Sequence, residues 1–232
     1  MIALDAVLDL LFPPKCPFCR HVVDRVGVCK ACEKALPWAE EETGLHKGAG
    51  GLVCAAPLFY EGVVREALLR LKFHGESHLA EPLGGLIARC AAERFSGEFD
   101  AVTWVPVGPK RRRERGYDQA RLLAEAACRT WEMKPERLLE KNGDNPAQSG
   151  LADSDARRAN VLGMYAVPPA VRTEGRRILL IDDICTTGAT LTECVRTLKD
   201  AGAASVVCVT AALTRPEKAA PGNQAKKRRE FS

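Results

Sequence analysis

One stretch of the chain gathers more reactive chemistry than any other: Arg177-Ile-Leu-Leu-Ile-Asp182-Asp183-Ile-Cys185-Thr186-Thr187-Gly188-Ala189-Thr190-Leu191. An apolar run ends in two carboxylates, turns through hydroxyls and a glycine, and enters a helix-forming segment. In open α/β sheets, ligands sit at the carboxyl ends of strands. A helix N-terminus placed there offers unpaired backbone N–H groups and a partial positive charge, both suited to a phosphate. Thr186, Thr187 and Thr190 add hydroxyl donors, and Gly188, beside Ala189, lets the backbone approach closely. Asp182 and Asp183 would repel that phosphate, so they need another partner. A vicinal diol fits, because ribose hydroxyls lie close to a 5′-phosphate. The plainer alternative is an acidic strand end followed by a Thr-capped helix. The acidic strand of a P-loop nucleoside triphosphatase would also require G-x-x-x-x-G-K-[ST], which is missing.

A second group of residues has metal-ligand spacing. Cys16-Pro-Phe-Cys19 and Cys29-Lys-Ala-Cys32 are two Cys-x-x-Cys pairs separated by nine residues. Each pair puts two thiolates on one side of a tight turn, and two such turns facing each other complete a tetrahedron around Zn²⁺. So short a module cannot bury an adequate core, which makes a structural metal its support. A thioredoxin-like redox pair would need one motif at a strand-to-helix junction. An iron–sulfur site is the remaining alternative. Four protein ligands leave no open position for a catalytic metal. The other six of the ten cysteines are scattered and read as small core hydrophobes, Cys185 among them.

A third region is cationic: Val105-Pro106-Val107-Gly108 runs into Lys110-Arg111-Arg112-Arg113-Glu114-Arg115 and Gly116-Tyr117-Asp118-Gln119. Such a run is ordinarily a solvated turn. Beside a sugar phosphate it would serve an anionic leaving group instead.

The elements that must position these groups follow from periodicity. Leu52–Tyr60 reads as a strand. Val64, Ala67, Leu68 and Leu71 recur at helical spacing, as do Leu79, Leu83, Leu86, Ile87 and Cys90. Ala101–Val107 is a strand, and Asp118 can cap the helix marked by Leu122, Leu123, Ala126 and Ala127. Ile178–Ile181 is a buried strand, Leu191–Ala201 a helix closed by Gly202, and Ser205–Leu213 a further strand. Strands alternating with helices imply a parallel sheet covered on both faces. Residues 40–51 are polar and Gly-rich and read as a connection between a small module and a larger domain. Residues 142–158 are turn-rich and too long for a tight connection, which marks a functional loop.

The segment from Arg177 to Leu191 resembles the phosphoribosyl-pyrophosphate loop of type I phosphoribosyltransferases. That resemblance implies that Asp182 and Asp183 hold the ribose hydroxyls and that Thr186 through Thr190 hold the 5′-phosphate. Adding the four-cysteine module, the Val105–Gly108 strand end, Arg112-Arg-Glu-Arg115-Gly116-Tyr117-Asp118-Gln119 and Leu71-Lys72-Phe73-His74-Gly75, the chain resembles the ComF family of competence-associated phosphoribosyltransferase-like proteins over about residues 8 to 213. Tyr117 stands where the family has Phe, and Asp118 where it has Asn. Asn145 replaces a Thr in the flexible-loop motif, which continues through Gln148, Leu151, Arg157 and Asn160. The resemblance implies that Val107 and Gly108 approach pyrophosphate, that Arg112, Arg115 and Lys72 flank it, and that Gln148 and Arg157 close over the substrate and keep water from the reacting carbon.

Composition bounds what remains. Hydrophobic residues make up 46% and charged residues 28% of 232 residues, an ordinary globular balance. No apolar run reaches the ~18 residues of a membrane span. Asp5 and Asp9 in the first segment argue against a signal peptide, so a cytoplasmic protein is expected. Of the net charge of +4, the tail from Pro216 holds +3 (five Lys/Arg against two Glu), which weakens any general nucleic-acid footprint.

The expectation is an α/β protein. It has residues 1–45 as an N-terminal helix and zinc-ribbon-like module, 52–215 as a type I phosphoribosyltransferase-like parallel sheet with helices on both faces, and 216–232 as a basic tail. It would bind phosphoribosyl pyrophosphate or a nucleotide with Mg²⁺, carry structural Zn²⁺, and transfer the phosphoribosyl group to a nitrogen acceptor. The alternative is a non-catalytic competence factor that meets single-stranded DNA or a helicase-type partner, with self-association open.

Overall fold

The computed structural model describes residues 13–40, 42–143 and 161–215. The N-terminal helix expected before Pro13, the loop residues Gln148 and Arg157, and the basic tail lie outside the described residues.

The sheet is built in the order β1-β2-β8-β7-β4, with β3 also against β8. These strands are β1 (Leu45–Gly48), β2 (Leu52–Ala55), β3 (Leu58–Phe59), β4 (Ala101–Trp104), β7 (Arg177–Cys185) and β8 (Ser205–Leu213). Pairing is parallel throughout except at β1, an antiparallel edge strand on β2. The Gly-rich connection expected over residues 40–51 therefore contains a strand. Gly50 and Gly51 take positive φ (67° and 75°) and reverse the chain into β2, so a glycine-rich stretch served a hairpin rather than a linker. The single strand expected over Leu52–Tyr60 is split after Ala55, and Pro57, which has no N–H to give a ladder, lies in the break.

Strand alternation sorts the apolar residues into two cores. On one face, Leu179, Ile181, Val207 and Val209 meet helices α2 (Gly62–Phe73), α3 (Ala80–Arg94) and α5 (Gln119–Thr130). On the other, Ile178, Leu180, Val206 and Cys208 meet Leu191, Cys194, Val195 and Leu198 of α6 (Ala189–Asp200). The helical stripes fulfil their pattern: Val64, Ala67, Leu68 and Leu71 are the buried residues of α2. Helices α3 and α5 cross where Gly84 leaves no room, since a Cβ there would lie 2.4 Å from that of Ala126. Asp118 caps α5 by accepting from Arg121 N–H at 3.2 Å. A short antiparallel pair, β5 (Glu140–Lys141) and β6 (Tyr165–Ala166), stands at the base of the expected loop.

The cysteine module precedes the sheet and contributes one helix, α1 (Lys30–Ala35), which buries none of its residues. Trp38 bridges to Leu58, and Phe59 N–H donates to Pro37 O at 2.9 Å, so the module is stitched to the sheet. No helix among the described residues is long and apolar enough to cross a membrane.

Candidate functional site: an acidic strand end facing a cationic wall

Strand β7 extends four residues beyond its predicted end and carries Asp182 and Asp183 to the carboxyl edge of the sheet. Register with β4 pairs Trp104 with Ile181, so the Val105–Gly108 segment leaves the sheet beside the two carboxylates. A cavity of about 340 Å³ opens there, floored by Asp182, Asp183, Thr186 and Thr190 and walled by Val105–Gly108. Val107, Gly108, both aspartates, Thr186 and Thr190 thus line one cavity.

Thr187 and Gly188 do different work. Gly188 precedes α6 with φ 72°, and a Cβ there would stand 2.6 Å from His46 Nε2 and 2.9 Å from Leu52 Cδ2. Only glycine fits both the conformation and the space. Thr187 Oγ1 accepts from the Ala189 N–H at 3.4 Å and closes the turn. His46, supplied by the unforeseen edge strand, backs the turn, and its burial lowers the imidazole pKa, favouring the neutral ring.

The two carboxylates have unequal surroundings, because successive strand residues face opposite sides. Asp183 is buried, and its Oδ1 lies 2.9 Å from Lys72 Nζ at the end of α2. Its Oδ2 is buried with no protein partner. Burial pulls the Lys72 ammonium down, but Asp183, Asp182 and Tyr60 together outweigh it and the pKa rises. Asp182 accepts the Asp183 N–H at 2.8 Å. Burial, and then the Asp183 charge, push the Asp182 carboxyl well above the usual range. The site therefore holds an acidic pair, Asp183 buried and Asp182 half-buried, balanced by one ammonium, with an oxygen to spare for a hydroxyl.

Opposite them, Arg111, Arg115 and Lys141 line the cavity. Arg115 donates to Gln119 Oε1 at 2.9 Å and lies over Phe73, 4.9 Å from the ring centroid. Arg112 is elsewhere. The basic run is a helix, α4 (Pro109–Arg115), entered at proline and closed by Gly116 with φ 81°. On a helix Arg111 and Arg115 share a face at i, i+4, whereas Arg112 is turned toward a neighbouring groove. That groove, of about 770 Å³, is lined by Arg112, Arg113, Arg121, Arg137, Trp104 and Asp118. The missed signal was Pro109 and Gly116, the start and stop marks of a helix. Asp118 organises the strand end: beyond its cap, its Oδ2 accepts from Val107 N–H and Trp104 Nε1, each at 3.2 Å. Tyr60, also missed, lines the cavity beside Lys72.

The four cysteine sulfurs, Cys16, Cys19, Cys29 and Cys32, all lie within 4.8 Å of one another. The Cys19 and Cys29 sulfurs are 3.5 Å apart. Zn–S bonds of about 2.3 Å in a tetrahedron require sulfurs roughly 3.8 Å apart, so the donor set fits Zn²⁺. Cys16 resists its own burial, which raises the thiol, because the N–H groups of Cys19, Cys29 and Phe18 bring it down to about 7. Burial and the neighbouring sulfurs raise Cys32. A cluster in which thiolates repel is stabilised by a dication.

Two family descriptions match the chain: a double zinc ribbon domain over residues 7–49 and a phosphoribosyl transferase domain over 140–229. Competence protein ComFC of Bacillus subtilis is 27% identical over 192 residues, 83% of this chain and 74% of its own. ComFC of Streptococcus pneumoniae is 27% identical over 206 residues, 87% of this chain and 82% of its own. The chain is thus similar over most of its length to competence proteins of the ComFC type. DNA utilization protein YhgH of Escherichia coli is similar at 24% over 219 residues, covering 85% of this chain and 96% of its own. The chain thus joins a four-cysteine zinc-ribbon module to a phosphoribosyltransferase-like sheet.

Proposed function

We propose that the cavity binds 5-phosphoribosyl pyrophosphate with Mg²⁺ and that the chain transfers the phosphoribosyl group to a nitrogen acceptor. The observation that carries this reading is the convergence of a buried and a half-buried carboxylate, a phosphate-sized turn at a helix N-terminus and a facing cationic wall in one cavity. Asp182 and Asp183 accept from the ribose hydroxyls, the free Oδ2 of Asp183 gaining a partner. Thr186, Thr190 and the backbone N–H groups opening α6 take the 5′-phosphate. Val107 and Gly108 present backbone to the pyrophosphate, whose charge Arg111 and Arg115 neutralise as it grows. Mg²⁺ would ride on the pyrophosphate and need at most one or two protein carboxylates, which suits this site.

In the transfer, the bond from C1 to the pyrophosphate oxygen breaks with its electron pair leaving on pyrophosphate. A C1–N bond forms, and the acceptor nitrogen sheds one proton. Orientation and charge stabilisation supply the acceleration. No side chain in the cavity is required as nucleophile, and Cys185, buried beneath the turn, serves packing.

Calorimetric titration with phosphoribosyl pyrophosphate and Mg²⁺ tests the binding. Asp183→Asn should weaken it by at least tenfold, and unchanged binding would refute the assignment. Pyrophosphate release with a panel of bases, amines and ammonia then tests transfer.

One observation favours a second reading, a nucleic-acid-handling protein in the cytoplasm whose pocket only binds. The groove beside the cavity carries four arginines, a cationic track beside the strand end. In that reading Arg112 acts on a strand backbone, or on a helicase-type partner, rather than on pyrophosphate. Salt-dependent binding of a labelled oligonucleotide that Arg112→Glu and Arg113→Glu abolish, with no pyrophosphate release by the wild type, would favour it.

A further inference from the structure

The last turn of α2 is held at each of four successive positions by a different part of the molecule. Arg70 donates through Nη2 to the carbonyl of Pro17, inside the first Cys-x-x-Cys turn, and through Nη1 to Glu76 at 2.8 Å. Glu76 also takes Arg20, next to Cys19, at 3.2 Å. The Leu71 carbonyl accepts from the phenol of Tyr117. Lys72 holds Asp183, and Phe73 lies under the Arg115 guanidinium. One helical turn therefore joins the zinc module, the cationic helix and the acidic strand end.

The Arg70 side chain is only 11% exposed, so its charge depends on acceptors that the protein itself provides. One of them is a carbonyl whose position is set by the Cys16–Cys19 turn, which carries two of the four clustered sulfurs. Two residues further on stands the ammonium that balances the Asp182–Asp183 pair.

We infer that Arg70 is a positioning residue through which zinc occupancy of the N-terminal module governs ligand binding in the sugar-phosphate cavity. With zinc bound, the Pro17 carbonyl meets Arg70, the α2 terminus is fixed, and Lys72 holds Asp183 where a ribose hydroxyl can reach Oδ2. Without zinc, the buried guanidinium loses an acceptor and the turn, which runs out into Gly75 at φ 72°, loosens. Lys72 then holds Asp183 less firmly, and the two carboxylates repel each other with less compensation. Linkage makes the effect reciprocal: ligand must raise zinc affinity by the same factor by which zinc raises ligand affinity.

The inference rests on the sugar-phosphate reading for its ligand, so its test has one arm that uses no ligand. Hydrogen exchange is compared among the zinc-loaded full chain, the zinc-stripped chain and Arg70→Met. Both perturbed forms should exchange faster over residues 70–75 and 183–187, while Arg70→Met keeps its zinc and its protection over 16–32. Changes confined to residues 13–40 on stripping would overturn the inference. In the second arm, stripping should weaken phosphoribosyl pyrophosphate binding by about five- to tenfold in the wild type, and by less than twofold in Arg70→Met, which starts weak. Phosphoribosyl pyrophosphate should in turn slow zinc transfer to a chromogenic chelator. Equal affinity with and without zinc would overturn the inference. If the ligand binds neither form, the cavity assignment fails and the exchange arm alone decides Arg70. Arg70→Lys keeps the charge but cannot span both acceptors, so a partial loss is expected. It carries the same test should Arg70→Met not fold.

Discussion

The zinc module and the sheet domain are held together by opposite means. Among the described residues from Pro13 to Glu40, only Cys16, Pro17, Phe18 and Leu36 are buried apolar residues, and Val22 and Val26 stand about 60% exposed. The sheet has two continuous cores, one on each face, made of residues that are almost wholly buried. A segment with so little apolar burial cannot offset the entropy of ordering its backbone. Its order must come from coordination, whereas the sheet needs no metal. The contrast shows that one chain can draw on two sources of stability that meet: Cys16, Phe18 and Leu36 join the first core of the sheet, and Trp38 on Leu58 and Arg70 on Pro17 add contacts beside it.

The largest expected break in that contrast is Cys32→Ser. Structural zinc carries an apparent ~10–16 kcal/mol in small domains, so loss of one ligand should abolish zinc in native mass spectra. Limited proteolysis should then cut within residues 13–40, while the sheet keeps a cooperative thermal transition. Next comes the opposite experiment. Ile87→Ala empties a fully buried site in the first core and should cost about 2–5 kcal/mol in urea unfolding, with zinc content unchanged. Gly84→Ala should cost less, about 1–3 kcal/mol, by forcing α3 away from Ala126 on α5.

Asp182→Asn should separate stability from binding. The folded carboxyl has a raised pKa, so the native state holds its proton more tightly than the unfolded chain does. Stability from this group therefore falls as pH rises from the ordinary aspartate value, about 3.9, through the folded pKa. The asparagine variant should melt higher at neutral pH, flatten that slope and lose phosphoribosyl pyrophosphate binding. A variant that melts lower would show that the acidic pair is not a stored cost. The smallest effect is Arg89→Ala. Its guanidinium lies 5.2 Å from the Trp38 centroid, and removal should cost about 0.5–1 kcal/mol, visible as slightly faster proteolysis of the module.

Much of the domain was readable because its periodicities are strong. The β7–α6 junction was legible as an apolar strand running into polar turn residues, and α2 and α3 as stripes. Edge strand β1 was hidden because LHKG is short, half polar and flanked by glycines, so pairing with β2 alone makes it a strand. Arg111 was hidden inside a run of identical charges, where only the helical phase of α4 separates it from Arg112. Tyr60 and Arg70 offered no local mark at all.

Local spacing by itself determined the metal ligands and the carboxylate–threonine turn, because thiolates two residues apart share a tight turn and a strand's end is written in a few consecutive side chains. Tertiary structure alone decided which cation meets which anion. Lys72 reaches Asp183, and Arg70 reaches Pro17, only after helix α2 has packed on the sheet and the knuckle has folded over it. Such pairings depend on the relative placement of whole elements, which charge and periodicity along the chain do not encode one residue at a time.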